Sequence, residues 1–194
     1  MPACGSELAR DLFAAMTAMM TPLPPAKGYR ALREGRHSEA GGFYFLTFCS
    51  LDRLKGLSNA AIASAIIAEI DAMQADEAWT LHCGTIMPDH VHLLIELGQP
   101  LSLGKTIARL KAKTAANLRD RGLNWQPGYF DHRLRPREER LPYFHYTHLN
   151  PYRADLLRIE EKWPWFICSP TNQKWFVPML NQELPEPTWL TGLP

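Results

Sequence analysis

Two apolar runs, Trp79 to Met87 and His90 to Leu97, are separated by Pro88-Asp89 alone. Runs joined this closely pair as an antiparallel hairpin with Pro-Asp at the turn. Side chains of a strand alternate between faces. His90 and His92 therefore share one face, and Val91 and Leu93 take the other. Two imidazoles side by side on one face can share a metal ion. An isolated His-x-His is more often a pair of surface or core histidines, so its meaning depends on what stands around it.

The flanking chain sets the fold. Phe43-Tyr44-Phe45-Leu46-Thr47-Phe48-Cys49 is aromatic and β-branched and predicts a strand. Leu57 to Gln74 reads as a helix with Ser58 as N-cap, because Ile62, Ala65, Ile66, Glu69, Ile70 and Met73 recur at three- and four-residue steps. Ser102 to Arg121 is a second helix, with Leu103, Ile107, Leu110, Thr114 and Leu118 on its apolar face. Asn124 to Arg135 reads as a loop with a short strand. A third helix begins near Leu141, since Pro142 fits a first turn and not a helix middle, and Asn150-Pro151 is expected to break it. Strand, helix, hairpin, helix is the opening of a ferredoxin-like β-α-β-β-α-β domain of the α+β class. Its helices pack on one face of an antiparallel sheet, and the other face is left for a ligand. Residues 1–27 read as a leader ending in a Pro-rich linker, 28–165 as the domain, and 166–194 as an irregular Trp/Pro-rich arm.

Composition narrows the partners. A hydrophobic fraction of 46% in 194 residues supports one globular core. The net charge of +1 says nothing of nucleic acid, but its distribution does. Between Leu101 and Arg137 nine basic residues stand against only Asp120 and Asp131. That excess is either a solvated helix face or a phosphate-tracking surface. Cys4, Cys49, Cys83 and Cys168 form no Cys-x-x-Cys pair and read as reduced thiols of a cytosolic protein. No apolar stretch reaches the roughly 18 residues of a membrane span.

Pro88-Asp89-His90-Val91-His92-Leu93-Leu94 resembles the His-hydrophobic-His motif of the HUH single-strand endonucleases. Tyr146-Thr147-His148-Leu149-Asn150-Pro151-Tyr152-Arg153-Ala154 resembles the Tyr-x-x-x-Asn-Pro-x-Arg-Ala signature of the single-tyrosine (Y1) transposase branch. Trp125 to Arg135 is similar to that branch's linking segment, and Leu32 to Gly41 to the entry segment of the REP-associated tyrosine transposases. The four segments stand in the family's order over Tyr29 to Trp165.

The resemblance implies a metal-dependent nickase and strand transferase, with His90 and His92 as ligands and Asn150 as the third. Tyr146 would be the nucleophile that forms a 5′-phosphotyrosine. Tyr143 lies three residues earlier and can share its face, so spacing barely separates the two and the family pattern favours Tyr146. Imidazole and amide oxygen suit Mg²⁺ or Mn²⁺ in turnover, with Zn²⁺ or Ni²⁺ held on purification. Expected phosphate contacts are Lys105, Arg109, Lys111, Lys113, Arg133 and Arg135, with Arg30, Arg33 and Arg36 reaching a groove or a hairpin foot. Asp89 is either a turn residue or the orienter of a ligand histidine. His82, His132, His145 and His148 are expected to be structural, and Trp125, Tyr129 and Phe130 to pack or to stack on bases. The partner implied is single-stranded DNA next to a hairpin, bound by a cytoplasmic monomer or homodimer. Two other readings share the histidines but do not need Tyr146: a hairpin-binding protein without catalysis, and a hydrolytic metal phosphodiesterase.

Overall fold

The computed structural model describes residues 38–158 and 160–172. Its strands are β1 (Phe43–Cys49), β2 (Trp79–Ile86), β3 (His90–Leu97), β4 (Phe130–Arg133) and β5 (Phe166–Cys168). Its helices are α1 (Ala60–Ala75), α2 (Leu103–Arg119) and α3 (Leu141–Arg153), with a 3-10 turn at Leu51–Arg53. The sheet order is β4-β1-β3-β2-β5, and every neighbouring pair is antiparallel. β3 lies between β1 and β2, so each of the first two helices crosses over a strand, as the ferredoxin-like reading requires.

One face of the sheet makes the main core. Tyr44, Leu46 and Phe48 of β1 and Val91, Leu93, Ile95 and Leu97 of β3 meet Ile62, Ile66, Ile70 and Met73 of α1. Leu103, Ile107, Leu110 and Leu118 of α2 complete it. Thr114 is buried in the same stripe, and its polarity is met. Its hydroxyl donates to the Leu110 carbonyl at 2.8 Å and accepts from Trp125 Nε1 at 2.9 Å. Trp125 is thus a packing residue.

The opposite face is not left free. Phe45, Thr47, His90, His92 and Leu94 lie there, and α3 crosses it, packing on β2 and β3. Phe45 and Leu94 are large and apolar and need cover, which the Tyr143 and Tyr146 rings supply for Phe45 at 5.4 and 5.9 Å.

Helix ends depart from expectation for local reasons. The N-cap of α1 is Asn59, not Ser58. Asn59 has the extended backbone, and its Oδ1 accepts from the Ala61 amide at 3.1 Å. α3 runs through Asn150-Pro151 to Arg153. A proline in the last turn forfeits only its own amide bond, here to Thr147, and Pro151 recovers cost by being buried. The stop comes at Asp155, with φ 51°, where Leu156 N–H donates to Pro151 and Asp155 N–H to Tyr152. That is a Schellman closure. The arm also begins as structure: Phe166–Cys168 is β-prone and adds to the edge of β2, past the expected boundary at 165. Trp163 Nε1 donating to the Ile86 carbonyl at 3.2 Å fixes its approach. Residues 1–37 and 173–194, with Arg30, Arg33, Arg36 and the rest of the arm, lie outside the described residues.

Gly98 closes the hairpin against the end of α1. A Cβ there would stand 1.8 Å from the Glu77 carbonyl oxygen, a backbone atom that cannot move aside. Gly98→Ala is therefore expected to cost about 3 kcal/mol, read as a lower urea midpoint at unchanged slope.

Candidate active site

The register of β1 on β3 sets Thr47 opposite His92 and Cys49 opposite His90. The histidine rings are edge to face, with centroids 4.5 Å apart, and are 4% and 1% exposed. Their Nδ1 atoms are held. Asp89 Oδ1 lies 2.6 Å from His90 Nδ1, and Thr47 Oγ1 lies 2.8 Å from His92 Nδ1. A carboxylate only accepts, so His90 carries its proton on Nδ1 and a lone pair on Nε2. The Nε2 atoms of both rings are buried with no hydrogen-bond partner among the described residues. Orphaned buried nitrogens are costly unless something else uses them. Oriented rings with open Nε2 atoms are the donor arrangement a divalent metal takes, so the residues fit such an ion.

Electrostatics keep these rings neutral. Burial lowers the His90 pKa against the pull of Asp89. Burial, then the His90 and Arg53 charges, lowers that of His92 well below the ordinary value. Burial alone would raise the Asp89 carboxyl, but the hydrogen bond and charge of His90, with Arg53, outweigh it and bring it down. Asp89 therefore orients a histidine and also makes the turn.

α3 presents Tyr146 to this pair. The Tyr146 ring meets His92 edge to face at 5.2 Å and is 6% exposed. Burial raises its pKa, opposed by a hydrogen bond with the Asn150 side chain and by the Arg153 and Arg53 charges, so the phenol is protonated at neutral pH. Asn150 sits one turn beyond Tyr146 and shares that bond. Tyr143 is directed elsewhere. Its hydroxyl donates to Glu138, and its ring stacks on His132 at 5.7 Å. Burial, then Glu138, raises its pKa. Among the described residues no cluster of three or more His, Cys, Asp and Glu side chains is placed to hold a metal.

The basic residues divide. Arg109 joins Glu69 at 3.2 Å and Asp76 at 2.5 Å, tying α2 to α1. Lys111 donates to the carbonyls of Gln126, at 2.8 Å, and Gly128. Arg133 pairs with Glu39. Lys105, Lys113 and Arg135 are exposed. Removing Lys105 or Lys113 is expected to reduce the slope of log affinity against log salt by about 0.9 for duplex and 0.7 for single strands. Arg109→Ala and Lys111→Ala are expected to lower Tm and leave that slope unchanged; titration at several salt concentrations decides.

His82, His132 and His148 are built into the scaffold. His132 Nε2 lies 2.8 Å from Glu138. His82 stacks on Phe43 at 4.9 Å and bonds Asn172. His148 packs on Phe166 at 4.8 Å. Burial, with the His145 charge, lowers the His148 pKa to about 4. The unfolded ring binds its proton near 6.5, so between pH 6.5 and 4 the unfolded chain holds more proton. Stability present above that window is therefore lost as pH falls through it, by about 3 kcal/mol. His148→Gln should flatten this part of the stability–pH curve in denaturant titrations.

Sequence reasoning missed Arg53 and Thr47. Thr47 is found only once the β1–β3 register is known. Arg53 stands in a short polar turn with no periodic signal, yet its Nε lies 2.9 Å from Asp89 Oδ2.

Residues 43–134 match the family described as "Transposase IS200 like". No curated protein matches. Among solved structures, a REP-associated tyrosine transposase bound to a REP hairpin is 18% identical, over 68% of this chain and 79% of that one, with a TM-score of 0.56. At that identity the likeness is one of fold. A Deinococcus radiodurans R1 protein, provisionally assigned as a transposase, is 17% identical over 63% of this chain and 94% of its own, with a TM-score of 0.43. The family match covers β1 to β4, both crossover helices and the histidine pair, so this stretch of the chain is similar to the IS200-like transposases.

Proposed function

We propose that this chain nicks single-stranded DNA beside a hairpin and rejoins it elsewhere, through a covalent link to Tyr146. One observation carries the reading. Two oriented, neutral imidazoles with unpartnered Nε2 atoms lie against a tyrosine ring 5.2 Å from His92. His90, His92 and Asn150 would hold a divalent cation, Mg²⁺ or Mn²⁺ in turnover. Bound there, such an ion supplies positive charge to the non-bridging phosphate oxygens as negative charge builds on them.

The chain's own residues do the rest. Asp89 and Thr47 fix the rings. Asn150 orients the Tyr146 hydroxyl by their shared hydrogen bond. Tyr146 Oη forms a bond to phosphorus, the bond from phosphorus to the 3′ oxygen breaks, and the phenol proton leaves to solvent as the 3′ oxygen takes one up. The product is a 5′-phosphotyrosine and a free 3′-hydroxyl. The linkage keeps the ester's energy, so another 3′-hydroxyl can reverse the step and join a different strand.

A hairpin offers a shape to recognise, and an unpaired flank can bend into the site. The structurally similar REP-associated transposase is bound to such a hairpin, which supports the substrate class. The test is a labelled hairpin with single-stranded flanks, incubated with protein and Mn²⁺ and run on a denaturing gel. A shifted, protease-sensitive adduct that EDTA prevents supports the reading. Free cleaved DNA without adduct indicates hydrolysis, and hairpin binding without cleavage under any divalent ion indicates a binding protein.

A further inference from the structure

The turn after β1 is an expensive piece of backbone. Asp52 and Arg53 both occupy the left-handed region, at φ 53° and 57°, without being glycine. Such a backbone is strained for a residue with a Cβ and persists only when its surroundings impose it. Here they do. Ser50 N–H donates to the Asp89 carbonyl at 3.0 Å and Ser50 Oγ to the Leu54 carbonyl at 2.6 Å, while the Gly56 and Leu57 amides donate to the Pro88 carbonyl at 2.7 and 2.8 Å. The turn is thus fastened to the Pro88-Asp89 turn that begins the histidine strand.

What this arrangement delivers is Arg53. Its Nε reaches Asp89 Oδ2 at 2.9 Å, and Asp89 Oδ1 holds His90 at 2.6 Å, so one carboxylate bridges the guanidinium and the histidine. Nη1 donates to Cys49 Sγ at 2.9 Å. These contacts engage Nε and Nη1. Among the described residues Nη2 has no protein partner, and the side chain is 42% exposed. A planar guanidinium anchored through Nε and Nη1 with Nη2 open is a preorganised donor for a phosphate oxygen.

We propose that Arg53 binds the phosphodiester to be cleaved, donating from Nη2 to a non-bridging oxygen beside the histidine pair. This rests on the reading that cleavage occurs at that pair. The Asp89 contact holds the guanidinium in place before substrate arrives, so little ordering is lost on binding. Lysine, a point charge without the fork, should replace it only in part.

The test starts from the cleavage position mapped with wild-type protein. If wild type cleaves nothing, the functional reading fails and the role of Arg53 falls with it. If wild type cleaves, Arg53→Ala at saturating Mn²⁺ is expected to slow adduct formation about 100-fold, and Arg53→Lys about 10-fold. Mn²⁺ should still raise the Tm of both variants by the wild-type increment. In a Tyr146→Phe background, which cannot form the adduct, Arg53→Ala should weaken binding about 10-fold to DNA spanning the cleavage position. It should not change binding to a hairpin truncated before that phosphate. A rate within threefold of wild type overturns the proposal. So does a deficit that closes as Mn²⁺ is raised, or equal affinity of the two backgrounds for the spanning DNA, since either would leave Arg53 acting only through Asp89 and His90.

Discussion

Tyr146→Phe is expected to abolish the covalent adduct and leave hairpin binding at its wild-type affinity. The substitution removes one oxygen. The ring stays, with its contacts to His92 at 5.2 Å and Phe45 at 5.9 Å, so the packing of α3 on the sheet is preserved. The lost bond to Asn150 costs about 1 kcal/mol of stability, which a thermal melt will detect as a small shift. The lost nucleophile should cost at least about 10⁴-fold in rate, as removal of a nucleophile does where nothing replaces it. Tyr143→Phe is the matched control. Its hydroxyl is committed to Glu138 on the β4 side, so its loss should leave adduct formation within a few-fold of wild type. If the two variants behaved in the opposite way, the nucleophile would be Tyr143.

His90→Ala and His92→Ala are expected to remove cleavage by 10³-fold or more and to erase the Mn²⁺-induced rise in Tm. The second readout matters because these side chains are also packing elements. His92 stacks on Phe45 at 5.3 Å and is almost wholly buried, so the truncated variant will be less stable in any medium. Glutamine at either position fills more of the space and should recover stability without recovering the metal response. A ligand that binds only the folded state stabilises it by about 2.7 kcal/mol at 100 times its dissociation constant, so wild type gives a clear signal. A wild-type Tm indifferent to Mg²⁺, Mn²⁺, Zn²⁺ and Ni²⁺ would count against a metal role for the pair.

Much of this site is legible without coordinates because it is built on strand periodicity. The Pro88-Asp89 spacing defines the hairpin, the hairpin defines the alternation, and the alternation puts His90 and His92 on one face. The helix stripes are equally plain, since Leu103, Ile107, Leu110, Thr114 and Leu118 are all buried in α2. What escapes is whatever depends on contacts between distant segments. Thr47 reaches His92 across 45 residues of chain, and Arg53 reaches Asp89 across a turn whose left-handed backbone leaves no mark in the sequence. Pro151 misleads because a proline's cost depends on its distance from the helix end. Lys111 and Arg109 look like phosphate contacts in a charge count, and only the fold shows the carbonyls and carboxylates they already serve. The covered face of the sheet was hidden for a similar reason. Periodicity shows that Phe45 and Leu94 point away from the main core but not that α3 returns to meet them.

The most direct test is to locate the DNA on the protein. Trypsin releases Leu141–Arg153 as one peptide carrying Tyr143, Tyr146 and Tyr152. After reaction of wild-type protein with a hairpin-flanked strand and Mn²⁺, nuclease digestion and fragmentation mass spectrometry will assign the nucleotide to one of the three. The account predicts a 5′-linked phosphodiester remnant on Tyr146 alone. A remnant on another residue, or cleaved strands with no remnant on the peptide, would contradict it.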